Sequence, residues 1–169
     1  MPSLILFRHG KSDWHAGQAD DLARPLSGRG RQSARAMGRF LADAGQIPDR
    51  ALSSPAERAR QTIRIAMKAG GWSCEVSTRE ALYRGVAEVL DELRGQPPGF
   101  DVILIVGHEP TCSEALETLI GGGRVRMPTA ALARVELEIA SWADLEPGCG
   151  ELAWLVHPRL FKTEARDSP

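Results

Sequence analysis

Two arginines and two histidines carry the chemical interest of this sequence. Arg8 and His9 stand side by side directly after the apolar run Leu4-Ile5-Leu6-Phe7, Arg58 comes shortly after Ala51-Leu52-Ser53, and His108 follows Val102-Ile103-Leu104-Ile105-Val106-Gly107. Arginine offers a planar fork of donors that grips phosphate oxygens in pairs. An imidazole with one ring nitrogen held by a carbonyl offers a neutral nucleophilic nitrogen at the other. If the three runs are neighbouring strands, the four side chains converge in one small volume, where cations gather only around an anion. Phosphate is the expected occupant, with one histidine attacking phosphorus while the other stabilises charge. Each piece alone is weak, since a histidine after a strand is commonly structural and an arginine on a helix turn commonly solvated. The combination at three strand ends carries the reading.

The elements that must position these groups follow from the apolar pattern. Leu4 to Phe7 reads as a strand buried on both faces. Ser27 reads as the N-cap of a helix in which Ala34, Met37, Phe40 and Leu41 recur at helical spacing, stopped by Gly45 and Pro48. Ser54-Pro55-Ala56-Glu57 predicts a second helix, with Ser54 as N-cap, Pro55 at the first helical position and Glu57 three after the cap. Its free N–H groups would face the end of the sheet where Arg58 lies. Val76 marks a third strand, and Val86, Val89, Leu90 and Leu93 form one stripe of a short helix closed by Gly95 and Pro97. A helix through Ala115, Leu116 and Leu119 ends in Gly121-Gly122-Gly123. Val135, Leu137 and Ile139 alternate with Arg134, Glu136 and Glu138, and Leu152 to Val156 forms the last strand. Strands alternating with helices predict an α/β fold, a three-layer α/β/α sandwich around a mostly parallel sheet. The two C-terminal strands are expected at a sheet edge, where an antiparallel arrangement fits. Ligands of such a sheet bind outside the carboxyl ends of its strands.

Composition adds exclusions. The 169 residues predict one domain over 1–169, with 162–169 a loose tail. Net charge is −1, which gives no overall attraction to nucleic acid or an anionic membrane. The opening apolar run is too short for a signal peptide or a membrane span. Cys74, Cys112 and Cys149 are an odd, scattered set, read as packing residues in a reduced, cytoplasmic setting. Gly121-Gly122-Gly123 lacks a phosphate-binding lysine, and Gly28-Arg29-Gly30-Arg31 follows no strand, so neither is a nucleotide fingerprint. Trp14 is expected in the core or a lid, and Lys11 and His15 at most on a pocket rim. His157 lies away from the three strand ends.

The motifs together resemble the histidine phosphatase superfamily. Arg8-His9-Gly10 is similar to its Arg-His-Gly tripeptide, Ser53 to Thr62 to its "SSPxxRAxQT" block, and Gly107-His108 to its second histidine motif. Arg24-Pro25-Leu26-Ser27 with Gly30 resembles an "RPL(S/T)xxG" segment, and Met127-Pro128-Thr129 a late segment. The compact length and the wording "RHGKSDW" resemble the SixA-like phosphohistidine phosphatase branch, with its phosphoglycerate mutase-like fold. The chain is too short for the insertions that cap mutase sites. The resemblance implies that His9 is the nucleophile and that Arg8, Arg58 and His108 bind phosphoryl oxygens, with Arg24 counted among the substrate-binding residues. It implies no metal and no organic cofactor.

The proton donor is the open position. An ester needs a general acid for its alkoxide, whereas a phosphohistidine leaves as imidazole and needs less help. Glu109 stands directly after His108, where the branch carries a neutral residue, and either donates a proton or caps the next helix. Glu80 is a second candidate. The expected activity is phosphatase action through a phosphohistidine intermediate on a phosphohistidine-bearing protein. The alternatives are a small phosphate ester hydrolysed with Glu109 as acid, or a phosphate-binding module without turnover. A monomer is expected.

Overall fold

The structure is a computed structural model that describes residues 1–17 and 19–161. The expected tail at 162–169 lies outside the described residues. Six strands, β1 (Ser3–Arg8), β2 (Arg50–Ser53), β3 (Glu75–Thr78), β4 (Val102–Gly107), β5 (Leu132–Leu137) and β6 (Gly150–Val156), form one sheet in the order β3-β2-β4-β1-β5-β6. The first four run parallel, and β5 runs antiparallel to both β1 and β6. The expectation of a mostly parallel sheet is met. The C-terminal pair differs in detail: β5 is interior, between β1 and β6, and only β6 is an edge. Strand β5 also ends at Leu137, so Ile139 falls beyond it.

Helices α1 (Gly28–Asp43) and α2 (Glu57–Gly70) cover one face, and α3 (Val86–Arg94) and α4 (Thr111–Leu119) the other. The two-residue period of β1 splits its apolar run between the layers. Ile5 and Phe7 pack with Met37, Leu41 and Ile63, while Leu4 and Leu6 pack with Leu93, Ala115 and Leu116. All four are fully buried, contributing about 1.5–3 kcal/mol each for full burial of such side chains. That is why an uninterrupted apolar run, rather than an alternating one, sits at the centre of the sheet.

Ser27 caps α1 as its position predicts, its Oγ accepting from Gly30 N at 3.1 Å. The second helix departs from the expected start. It begins at Glu57, and Ala56 occupies the cap position without a side-chain bond. Within its own turn Ser54 Oγ accepts from Ala56 N at 3.3 Å, and its hydroxyl is drawn more closely to a tertiary partner described below. Chain crossings to α1 and to α4 leave β1 and β4 toward opposite faces, so these adjacent strands form a switch point with a crevice at their carboxyl ends. No helix among the described residues is long and apolar enough to cross a membrane, and Cys74, Cys112 and Cys149 are free thiols.

Candidate active site

Register brings the chemistry together. Arg8 pairs with Gly107, and Ser53 with Val106. His9, Ser54 and His108 therefore emerge one step beyond three adjacent strands. His9 N donates to Gly107 O and Ser54 N to Val106 O, each at 3.0 Å, which extends the ladder to the point of exit. The His9 and His108 rings lie 4.9 Å apart between centroids. A cavity of about 590 Å³ opens here, lined by Arg8, His9, Arg24, Arg58, His108 and Glu109 among others. Six of the seven site residues picked from sequence meet in one pocket. Glu80 does not: it is exposed in a short 3-10 turn and takes no part in the lining.

The loop after β1 is fixed by close backbone approach. Ser27 N and Oγ both donate to Lys11 O, at 2.9 and 3.0 Å. A Cβ on Gly30 would fall on that same carbonyl oxygen, and one on Gly10 would meet Gly30 O at 2.8 Å. Thr62 joins the loop to α2, its Oγ1 accepting from Gly10 N at 3.1 Å and donating to Arg58 O at 2.7 Å. Gln61 Oε1 accepts from Leu26 N at 2.8 Å. The Gln61-Thr62 pair thus locks three motif segments to one another.

The imidazoles are both neutral. His9 Nδ1 is 2.6 Å from Gly10 O, and a carbonyl only accepts, so Nδ1 carries the proton and Nε2 keeps a free lone pair. Burial, with the charges of Arg58 and Arg8 behind it and against the Gly10 hydrogen bond, pushes the His9 pKa down to about 3. His108 Nε2 donates to Ser54 Oγ at 2.7 Å, and its Nδ1 accepts from Arg58 Nη2 at 3.4 Å. Burial first, then Arg58, lowers the His108 pKa to about 4.

The arginines are positioned by groups that the sequence did not single out. Asp21 accepts from Arg58 twice, Nη1 on its backbone oxygen at 2.8 Å and Nη2 on Oδ2 at 3.0 Å. Its Oδ1 pairs with Arg24 at 2.9 Å, and Tyr83 O–H donates to Oδ2 at 2.6 Å. Tyr83 stands edge-on to His108 at 5.3 Å. The Tyr83 bond, more than the arginines, holds the Asp21 carboxyl below its usual range. Glu57 N, at the amino end of α2, donates to Leu22 O at 2.8 Å, so that N–H is engaged by the Asp21 loop and not free as expected. Arg8 Nη1 donates to Met127 O at 2.8 Å. Trp14 is not in the core: it is 73% exposed, its ring 3.5 Å beneath the Arg24 guanidinium at the pocket mouth.

Glu109 lines the pocket and also caps α4. Its Oε1 accepts from Ser113 N at 3.1 Å and its Oε2 from Ser113 Oγ at 2.6 Å. Ser113 Oγ accepts in turn from Met127 N at 3.2 Å. Burial raises the Glu109 carboxyl above its usual range, against the Ser113 bonds and the Arg8 charge.

Arg8 Nε, Arg24 Nε and Arg58 Nε are buried without a hydrogen-bond partner. A buried donor left unpaired costs about 1–3 kcal/mol, and three arginines carrying such donors line one cavity, where an oxyanion would be the complementary occupant. Among the described residues no group of three or more His, Cys, Asp or Glu side chains is placed to hold a metal ion.

Comparison with known proteins agrees with this geometry. Residues 4–83 match the family model described as histidine phosphatase superfamily (branch 1). An uncharacterized protein of Mycobacterium tuberculosis is 32% identical over 163 residues, covering 90% of this chain and 99% of that protein. Among solved structures, a Nakamurella multipartitia protein provisionally assigned as the phosphohistidine phosphatase SixA superposes with a TM-score of 0.79 at 30% identity, covering 93% of this chain and 96% of that one. The protein histidine phosphatase SixA complexed with tungstate superposes with a TM-score of 0.81 at 26% identity, covering 95% and 99%.

Proposed function

The chain belongs to the histidine phosphatase superfamily, and from that membership we propose that it is a phosphatase that removes phosphate from phosphohistidine on a protein, through a phosphorylated His9. The observation that carries the reading is the free His9 Nε2 lone pair among three arginines with unpaired buried donors. His9 Nε2 attacks phosphorus, the bond from phosphorus to the substrate nitrogen breaks, and its electron pair returns to the leaving imidazole. Water then attacks the phosphorus on His9, releasing phosphate and restoring the neutral ring. Arg8, Arg24 and Arg58 hold the non-bridging oxygens, and their charge-assisted bonds strengthen as charge builds on them. His108, aimed by Ser54, presents Nδ1 to the same group and takes a proton there when a dianion raises its pKa.

A similar protein, the histidine phosphatase SixA, is described in complex with tungstate, which supports oxyanion binding by this fold. No metal is needed for these steps. The leaving imidazole accounts for a site in which Glu109, the carboxylic acid among the described lining residues, is engaged as an acceptor from Ser113. A second reading, hydrolysis of a small phosphate ester with Glu109 as acid, draws on its place in the pocket and its raised pKa.

Assays in EDTA on a phosphohistidine peptide, phosphoramidate and a set of sugar and alkyl phosphates test the choice. Turnover of the phosphoramidate class far above the esters is expected. Preference for alkyl esters would replace this reading with the second.

A further inference from the structure

A second groove of about 370 Å³ runs beside the catalytic pocket and shares Lys11 and Thr129 with it. Arg29 and Arg159 add their charges to Lys11, and among the described residues no acidic side chain lines the groove. All three cations are exposed, and none is in an ion pair among the described residues. A separate face of α1 carries Arg31, Arg35 and Arg39, which line a further groove with Lys68 of α2. The chain as a whole is at −1, so this is segregation of charge and not an excess of it.

These cations stand where they help the helix least. Arg29 and Arg31 lie in the first turn of α1, at its partially positive end, and that turn holds no acidic residue. A local rule broken next to the catalytic pocket, with no acid in that turn to compensate, marks a working surface. Pro128, Pro158 and Phe161 form apolar wall between the cations, the mixture found at protein interfaces.

We infer that the groove of Lys11, Arg29 and Arg159 is the docking surface for an acidic face of the phosphohistidine-bearing protein. The inference rests on the phosphatase reading above, and continuity with the pocket mouth makes the docked partner the protein that carries the phosphoryl group. Opposed charges of this kind act mainly on encounter rate and on choice of partner.

The test uses two synthetic peptides with a central phosphohistidine, one flanked by glutamates and one by glutamines, with phosphoramidate as a probe too small to reach the groove. At low salt kcat/KM is expected to be roughly tenfold higher for the glutamate peptide, and high salt should close the gap. The double variant Arg29→Glu/Arg159→Glu should erase the preference and leave phosphoramidate turnover unchanged. Its Tm should hold or rise, because an acid suits the amino end of a helix. Calorimetric titration with the unphosphorylated glutamate peptide should show weaker binding to the same variant. Equal kcat/KM on the two peptides, or a preference that survives the reversal, overturns the docking surface and leaves the phosphatase reading standing. Absence of turnover on all three probes overturns the phosphatase reading instead, while the titration still decides the surface. Tighter binding of a single-stranded oligonucleotide than of the glutamate peptide overturns the assignment to an acidic protein.

Discussion

His108 Nε2 lies 2.7 Å from Ser54 Oγ, across two strands and 54 residues of sequence. The bond fixes the orientation of the His108 ring, because Nε2 is occupied and Nδ1 is left toward Arg58. Ser54→Ala should therefore keep the fold and lower kcat by roughly tenfold to a hundredfold, by analogy with the loss of partners that orient metal-ligating histidines. Kinetics beside a thermal melt check it. Unchanged kcat would mean that Ser54 does not aim the ring.

Asp21 holds Arg58 and Arg24 at once. Asp21→Ala releases both forks, so KM for phosphoramidate should rise and kcat fall together. Tyr83→Phe removes one neutral partner of Asp21 and should cost no more than about tenfold in kcat/KM, as one hydrogen bond is worth about 0.5–1.5 kcal/mol. A larger loss for Tyr83→Phe than for Asp21→Ala would place Tyr83 on the substrate itself.

The depressed histidines make stability depend on pH in a stated direction. The unfolded chain takes up protons at both positions as pH falls through 6.5, whereas folded His108 and His9 wait until about 4 and about 3. Stability from these sites is therefore intact above pH 6.5 and declines between about 6.5 and 3. Ring titration by NMR on the free protein should show no protonation of either residue between pH 5 and 8. A transition near 6.5 for His9 would contradict its burial and its neutral state.

Glu109→Gln separates cap from acid. The amide can accept one of the two Ser113 bonds, so stability should fall by about 1 kcal/mol, with aryl phosphates, alkyl phosphates and phosphohistidine slowed about equally. Selective loss on alkyl esters, in the ~10²–10⁴-fold range of general acid catalysis, would make Glu109 the proton donor.

The parts of the site built on strand ends were legible in the sequence because continuous apolar runs mark buried strands. One residue beyond each run is a position that topology must bring to the carboxyl edge. Arg8, His9 and His108 follow from that rule. Ser54 was misread because a capping pattern satisfied within five residues competes with a histidine that only the β2–β4 register supplies. Asp21 gave no signal: it sits in an exposed loop, and its role comes from the arginines that fold onto it. Trp14 was expected in the core or a lid, and of these the core is excluded: it lies outside, its flat ring against Arg24 at the pocket mouth. Glu80 failed because a carboxylate near the right segment says nothing about which way a short turn faces.

The central claim is that phosphate passes through His9. Rapid acid-free quench of the wild-type protein with ³²P-phosphoramidate, followed by mapping of the labelled peptide, tests it most directly. The account predicts an acid-labile, base-stable phosphoryl group on His9, formed and consumed at rates that match turnover. His9→Ala should form none while still binding inorganic phosphate through Arg8, Arg24 and Arg58. Label on His108, or turnover by His9→Ala at a rate near that of the wild type, would contradict it.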